Sequence, residues 1–130
     1  MGGAHLKAPL FSVHHIALRT RSVEALSEFY ERLFALRRVR TQPRSVWLSS
    51  SGPSSIETPV LMIERADRPK ERPPSKSSYD FLAFLLPRDE RAKFRRRLRR
   101  LQVVIEEETK HTLYFRDPDG RRIGVSDYPF

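Results

Sequence analysis

The short apolar-rich run Phe11 to Thr20 (FSVHHIALRT) reads as a strand. Val13, His15 and Ala17 fall on one face of it, and His14, Ile16 and Leu18 on the other. After Thr20 the spacing becomes helical. Val23, Leu26, Tyr30, Leu33 and Phe34 form an apolar stripe that Phe29 widens, with Ser22 as the expected N-cap and Glu24 in the first turn. Short strands are predicted over Arg37–Thr41, Ser45–Ser49 and Pro59–Arg65, with a loop at Ser50–Ser55. Ala66–Ser78, rich in Pro, Lys, Arg and Ser, reads as a linker. The order then repeats: an apolar strand at Tyr79–Leu86, a helix at Asp89–Leu101, and strands at Val103–Glu107, Thr112–Phe115 and Arg121–Ser126. Asp117–Gly120 (DPDG) is a tight turn that fixes the last two strands as a hairpin. The halves echo each other in sequence as well as order: Phe29 and Leu33 sit like Phe94 and Leu98, and Val46-Trp47-Leu48 like Leu113-Tyr114-Phe115. Repetition of order and spacing predicts an α+β fold built from two tandem βαβββ units. The division is a tail at 1–10, units at 11–65 and 79–130, and a linker at 66–78, all within one structural domain.

Composition narrows the class. A chain of 130 residues suits one domain, and its Phe and Tyr residues supply enough bulk for a core. The absence of cysteine excludes a disulfide scaffold, a thiolate zinc site and a cysteine nucleophile. No apolar run reaches the roughly 20 residues needed to span a bilayer, and Met1–Leu10 lacks a signal-peptide core, so a cytoplasmic location is expected. Without GxGxxG or GxxxxGK[ST], no nucleotide cofactor is expected. The net charge of +9 raises nucleic acid as a partner. Much of that charge is local, with seven basic residues in the ten positions Arg91–Arg100. Phe94, Leu98 and Leu101 take the buried stripe there, and no nucleic-acid-binding motif accompanies the run. It is therefore read as a solvated helix face, with an electrostatic patch for nucleic acid or an acidic partner as the alternative.

A doubled βαβββ pattern with HHIAL on its first strand, EFYERLFAL on its first helix and YFRDPDGRRI near its end resembles the vicinal oxygen chelate superfamily over about residues 11–128. That superfamily holds glyoxalase I, extradiol dioxygenases, fosfomycin-resistance enzymes and bleomycin-resistance proteins. The resemblance implies that each unit curls into half a cup around a small-molecule cavity. It also implies that chains of this size pair as homodimers, and that metal-dependent members hold a divalent ion (Zn, Ni, Mn or Fe) from the first and last strands of each unit. Carried over, His15 and Glu64 take the first-unit ligand positions. In the second unit, Phe81 and Gly124 stand where His and Glu are expected, and neither ligates through its side chain. Two protein ligands are fewer than the three that catalytic zinc sites usually have. Asp80, His14, His111 or Asp127 would complete the set only through a register slip, which turns a side chain to the other face.

Two functions therefore stand side by side. One is a lyase or dioxygenase related to glyoxalase I, with His15 and Glu64 as catalytic and metal-binding residues and an incomplete ligand set. The other is a metal-independent, sequestering protein of the bleomycin-resistance type. In either case Arg19 suits an anionic substrate group. Trp47, Phe81 and Tyr114 read equally as core or as aromatic walls for a planar or apolar ligand, and His111 as a residue at the cup's rim or a solvent-exposed loop histidine. His14 is expected to face the helix layer in a structural role.

Overall fold

The computed structural model describes residues 13–51, 59–66 and 81–129. The N-terminal tail, the first residues of the predicted first strand, Tyr79, Asp80 and almost all of the linker lie outside the described residues. The first unit runs β1 (His15–Thr20), α1 (Val23–Phe34), β2 (Arg37–Gln42), β3 (Ser45–Ser49) and β4 (Val60–Arg65). The second runs β5 (Leu82–Leu85), a 3-10 turn (Arg88–Glu90), α2 (Arg91–Arg100), β6 (Glu107–Glu108), β7 (Thr112–Arg116) and β8 (Arg122–Ser126). Each unit makes its own four-stranded mixed sheet, in the orders β1-β4-β3-β2 and β5-β8-β7-β6. In both, the first strand pairs parallel with the last and the remaining pairs are antiparallel. The predicted α+β fold of two βαβββ units is the observed one.

Alternation sorts the strand residues. Leu18, Val46, Leu48 and Ile63 of the first sheet, and Leu113, Phe115, Ile123 and Val125 of the second, are buried against the helices. Leu26, Tyr30 and Leu33 of α1 and Phe94 and Leu98 of α2 complete one continuous core. The units meet through this core: Phe34 of α1 stacks on Phe84 of β5 at 3.8 Å between ring centres and also faces Phe94 and Phe115. The opposite face of each sheet, which bears His15, Ala17 and Arg19 in the first unit and Ala83 and Leu85 in the second, stays outside the core.

A buried ionic link reinforces the join. Asp117, whose carboxylate is wholly buried, accepts hydrogen bonds from the Tyr30 hydroxyl at 2.8 Å, the Arg121 guanidinium at 3.1 Å and the backbone N–H groups of Asp119 and Arg121. Arg121 in turn donates to the carbonyl of Arg19 on β1. Burial acts to lower the Arg121 pKa, but Asp117 and Asp119 outweigh it and hold the guanidinium above its ordinary value.

Several expected boundaries move. Val103–Glu107 is not a strand; only Glu107–Glu108 pair with β7. The chain leaves α2 through a left-handed Gln102, φ 58°, with the Val103 N–H bonded to the Leu98 carbonyl, a Schellman-type ending. Val103 and Ile105 are then drawn onto the core while Val104 stands 82% exposed, so the apolar run serves packing and not a ladder. Ser22 occupies the N-cap of α1 without making a side-chain cap; its own N–H bonds to the Thr20 hydroxyl instead.

Candidate functional site

The solvent-side face of each sheet carries the residues that the sequence singled out. In the first unit, the imidazole of His15 lies 5.0 Å from the indole of Trp47, ring centre to ring centre. The indole N–H is buried and, among the described residues, has no hydrogen-bond partner. An unsatisfied buried donor costs about 1–3 kcal/mol, so a ligand or water acceptor at this point would be stabilising. Sequence alone did not expose this, because Trp47 reads equally well as core. His14 does not face the helix layer. It precedes β1, so the strand alternation does not govern it; it is exposed, and its Nδ1 lies 3.0 Å from Nδ1 of His15.

His15 and Glu64 share this face but do not meet. The parallel register sets His15 against Val60 and Glu64 against Arg19. Four residues of strand, about 13 Å, therefore separate their backbones. Glu64 instead lies 3.5 Å from the Arg19 guanidinium. Arg19 is on the expected face, engaged with the carboxylate that was expected to serve beside His15.

In the second unit, Phe81 and Tyr114 lie against each other with ring centres 4.8 Å apart, and the Arg122 guanidinium sits 4.1 Å above the Tyr114 ring. Arg122 also bridges to Glu106 and Glu107. Gly124 lies beneath Phe81. A Cβ at this position would sit 2.2 Å from the Leu113 carbonyl oxygen and 2.9 Å from Cζ of Phe81. A side chain at 124 thus has no space to occupy. Arg122 was missed by sequence reasoning; its place two residues before Gly124, on the same face of β8, was the available signal.

A divalent metal, as the resemblance implies, finds a poor fit among these residues. Phe81 and Gly124 offer no donor, the register parts His15 from Glu64, and no group of three His, Asp or Glu side chains converges among the described residues. What the two faces present is an aromatic and cationic lining without a ligand cluster.

His111 is neither a free loop residue nor part of this lining. It is half-buried at the end of the second sheet, with Nδ1 2.8 Å from Asp127, whose other carboxylate oxygen lies 3.0 Å from Arg88. Arg88 and Arg91, at the start of the helical segment, act on Asp127 and set the pair on the helix side. The hydrogen bond with His111, reinforced by the charges of Arg88, His111 and Arg91, holds the Asp127 carboxyl below its ordinary value of 3.8. A depressed folded pKa gives stabilisation that is present above the unfolded value and lost as pH falls through the folded one. The gap in Tm between the wild type and Asp127→Asn is therefore expected to be open at pH 7 and to close below about pH 4. Thermal melts from pH 7 to pH 2 check this, and a gap constant over that range would refute it.

A groove of about 450 Å³ also opens between α1 and the segment after α2, beside Phe29, Val104 and Pro118. The carboxylate at its edge, Glu106, is already held by Arg116 in a paired hydrogen bond. The groove lies on neither of the two sheet faces described above.

Comparison with known proteins agrees with this architecture. Three solved structures similar to the chain are a possible glyoxalase from Bacillus cereus (20% identity, 88% of this chain and 97% of that one, TM-score 0.68), a lactoylglutathione lyase from Agrobacterium tumefaciens (21%, 92% and 95%, 0.66) and a variant of the FosX fosfomycin resistance protein from Listeria monocytogenes, complexed with Mn(II) and dihydroxypropylphosphonic acid (16%, 95% and 94%, 0.70). At these identities the likeness is one of fold. No curated protein matches the sequence. No helix among the described residues is long and apolar enough to cross a membrane. The family model for the Glyoxalase/Bleomycin resistance protein/Dioxygenase superfamily matches residues 12–125. With the doubled βαβββ topology, the match over most of the length establishes that this chain belongs to that superfamily.

Proposed function

We propose that the chain binds a small planar or apolar molecule without a metal, as a cytoplasmic homodimer whose paired sheet faces close into cups. The observation that carries this reading is the filling of the second-unit ligand position: the Phe81 ring and the Leu113 carbonyl take the space that a side chain on residue 124 needs. Where a metal ligand would project, the face presents the Phe81–Tyr114–Arg122 stack. Such a surface holds a ligand by aromatic contact and a cation. Exposure supports the dimer. Both sheet faces lie outside the core of a single chain, and Leu85, on the second of them, is 81% exposed. A first-unit face of one copy set against a second-unit face of another would bring His15 and Trp47 opposite Phe81 and Tyr114. A ligand or partner acceptor would then satisfy the Trp47 N–H.

The second reading, a metal-dependent lyase or dioxygenase, draws support from His15 and Glu64 lying on one face and from the Mn(II) complex of the FosX variant. It requires a further ligand that neither Phe81 nor Gly124 supplies. The experiment that separates the two is the divalent-metal content of protein purified without an affinity tag, for which the first reading predicts well under one ion per chain.

A further inference from the structure

The seven basic residues of α2 are not equivalent in the fold. Arg91 and Arg95 are drawn to Glu108, and Arg97 donates to the Leu33 carbonyl at 3.0 Å. Lys93, Arg96, Arg99 and Arg100 remain, all exposed and, among the described residues, with no ion-pair partner. At 3.6 residues per turn these four fall within an arc of about 120°. Lys93 and Arg96, Arg96 and Arg99, and Arg96 and Arg100 are neighbours at three or four residues. Each such like-charged pair weakens the helix that carries it. Nothing in the described fold relieves the repulsion.

We propose that this face of α2 binds the phosphate backbone of double-stranded nucleic acid without reading its sequence. Guanidinium groups match phosphate oxygens with two parallel hydrogen bonds, and three of the four free cations are arginines. The other anionic partners fit less well. An acidic protein surface needs an apolar centre to its interface, and the one non-basic residue in this arc is Ala92. A membrane-surface helix buries its apolar side in lipid, but Phe94 and Leu98 are committed to the core. A single strand is held by stacking on aromatic side chains, and the arc has none. The face lies on the helix side of the second sheet, away from the Phe81–Tyr114 face, so this binding is independent of the ligand reading.

The test is fluorescence anisotropy of a labelled duplex of about 20 base pairs and mixed sequence, titrated with the full chain over a range of salt concentrations. Micromolar binding is expected at low salt, alike for duplex DNA and duplex RNA. The plot of log affinity against log salt is expected to fall with a slope of about −3.6 for four phosphate contacts on DNA. Arg96→Glu with Arg100→Glu is expected to weaken binding at least tenfold and to flatten the slope by about two units. Circular dichroism checks that this variant folds, and Arg96→Lys with Arg100→Lys is expected to keep most of the binding. Three results would overturn the proposal: no binding at low salt, a slope unchanged by the charge reversal, or tighter binding to phosphatidylserine vesicles than to the duplex.

Discussion

Asp117→Ala is expected to lower the unfolding free energy by about 3–5 kcal/mol, the cost of breaking a buried ion pair by removing one partner. The variant strands the Arg121 guanidinium, only 4% exposed, with Asp119 as its remaining carboxylate. It also removes the carboxylate that accepts hydrogen bonds from the Tyr30 hydroxyl and from the backbone N–H groups of Asp119 and Arg121. Asp117 sits between the units, joined to α1 of one and to the turn of the other, so the loss is felt by the whole core and not by a hairpin alone. For a domain of this size the drop in Tm is on the order of 10–15 °C. Tyr30→Phe removes the hydroxyl's hydrogen bond to Asp117 and is expected to cost about 1 kcal/mol. Urea unfolding of the two variants checks the ranking, and an Asp117→Ala loss no larger than that of Tyr30→Phe would refute it.

Gly124→Ala is the second large effect. Its Cβ would lie 2.2 Å from a backbone oxygen, so the β7–β8 pair must shift to admit it. We expect a loss of about 3 kcal/mol, at the upper end of what overpacking in a close-packed interior usually costs. Removing the ring above it does not remove the strain. Phe81→Ala combined with Gly124→Ala is expected to recover little of the stability, because the nearer obstacle is the Leu113 carbonyl and not Cζ of Phe81. Full recovery in the double variant would show that the ring is the obstacle. The same crowding stands against installing a carboxylate ligand by Gly124→Glu.

Much of the fold is legible in the sequence. The helical stripe Val23–Phe34, the strand alternations and their repetition fix the element types, because burial of one face imposes a period that local residues display. The site was legible only in part. Faces follow from alternation, so His15 and Glu64 were rightly set on one side of the sheet. Their register was not legible: β1 and β4 pair in parallel across an intervening helix and two strands, with no hairpin turn to fix the alignment. DPDG announced a turn, but the burial of its first Asp depends on Tyr30, 87 residues away in sequence. His14 was misplaced because alternation was carried one residue past the strand that enforces it. The run of basic residues on α2 was visible at once. Which of them are engaged by the fold depends on where Glu108 and the Leu33 carbonyl lie.

The most direct measurement of the central claim is elemental analysis of untagged protein after gel filtration, followed by thermal melts with added Mn, Ni, Zn and Fe(II). A cup closed by Phe81 over Gly124 predicts far less than one divalent ion per chain and no rise in Tm with any of the four. One ion per chain, lost in His15→Ala or Glu64→Gln, would contradict it.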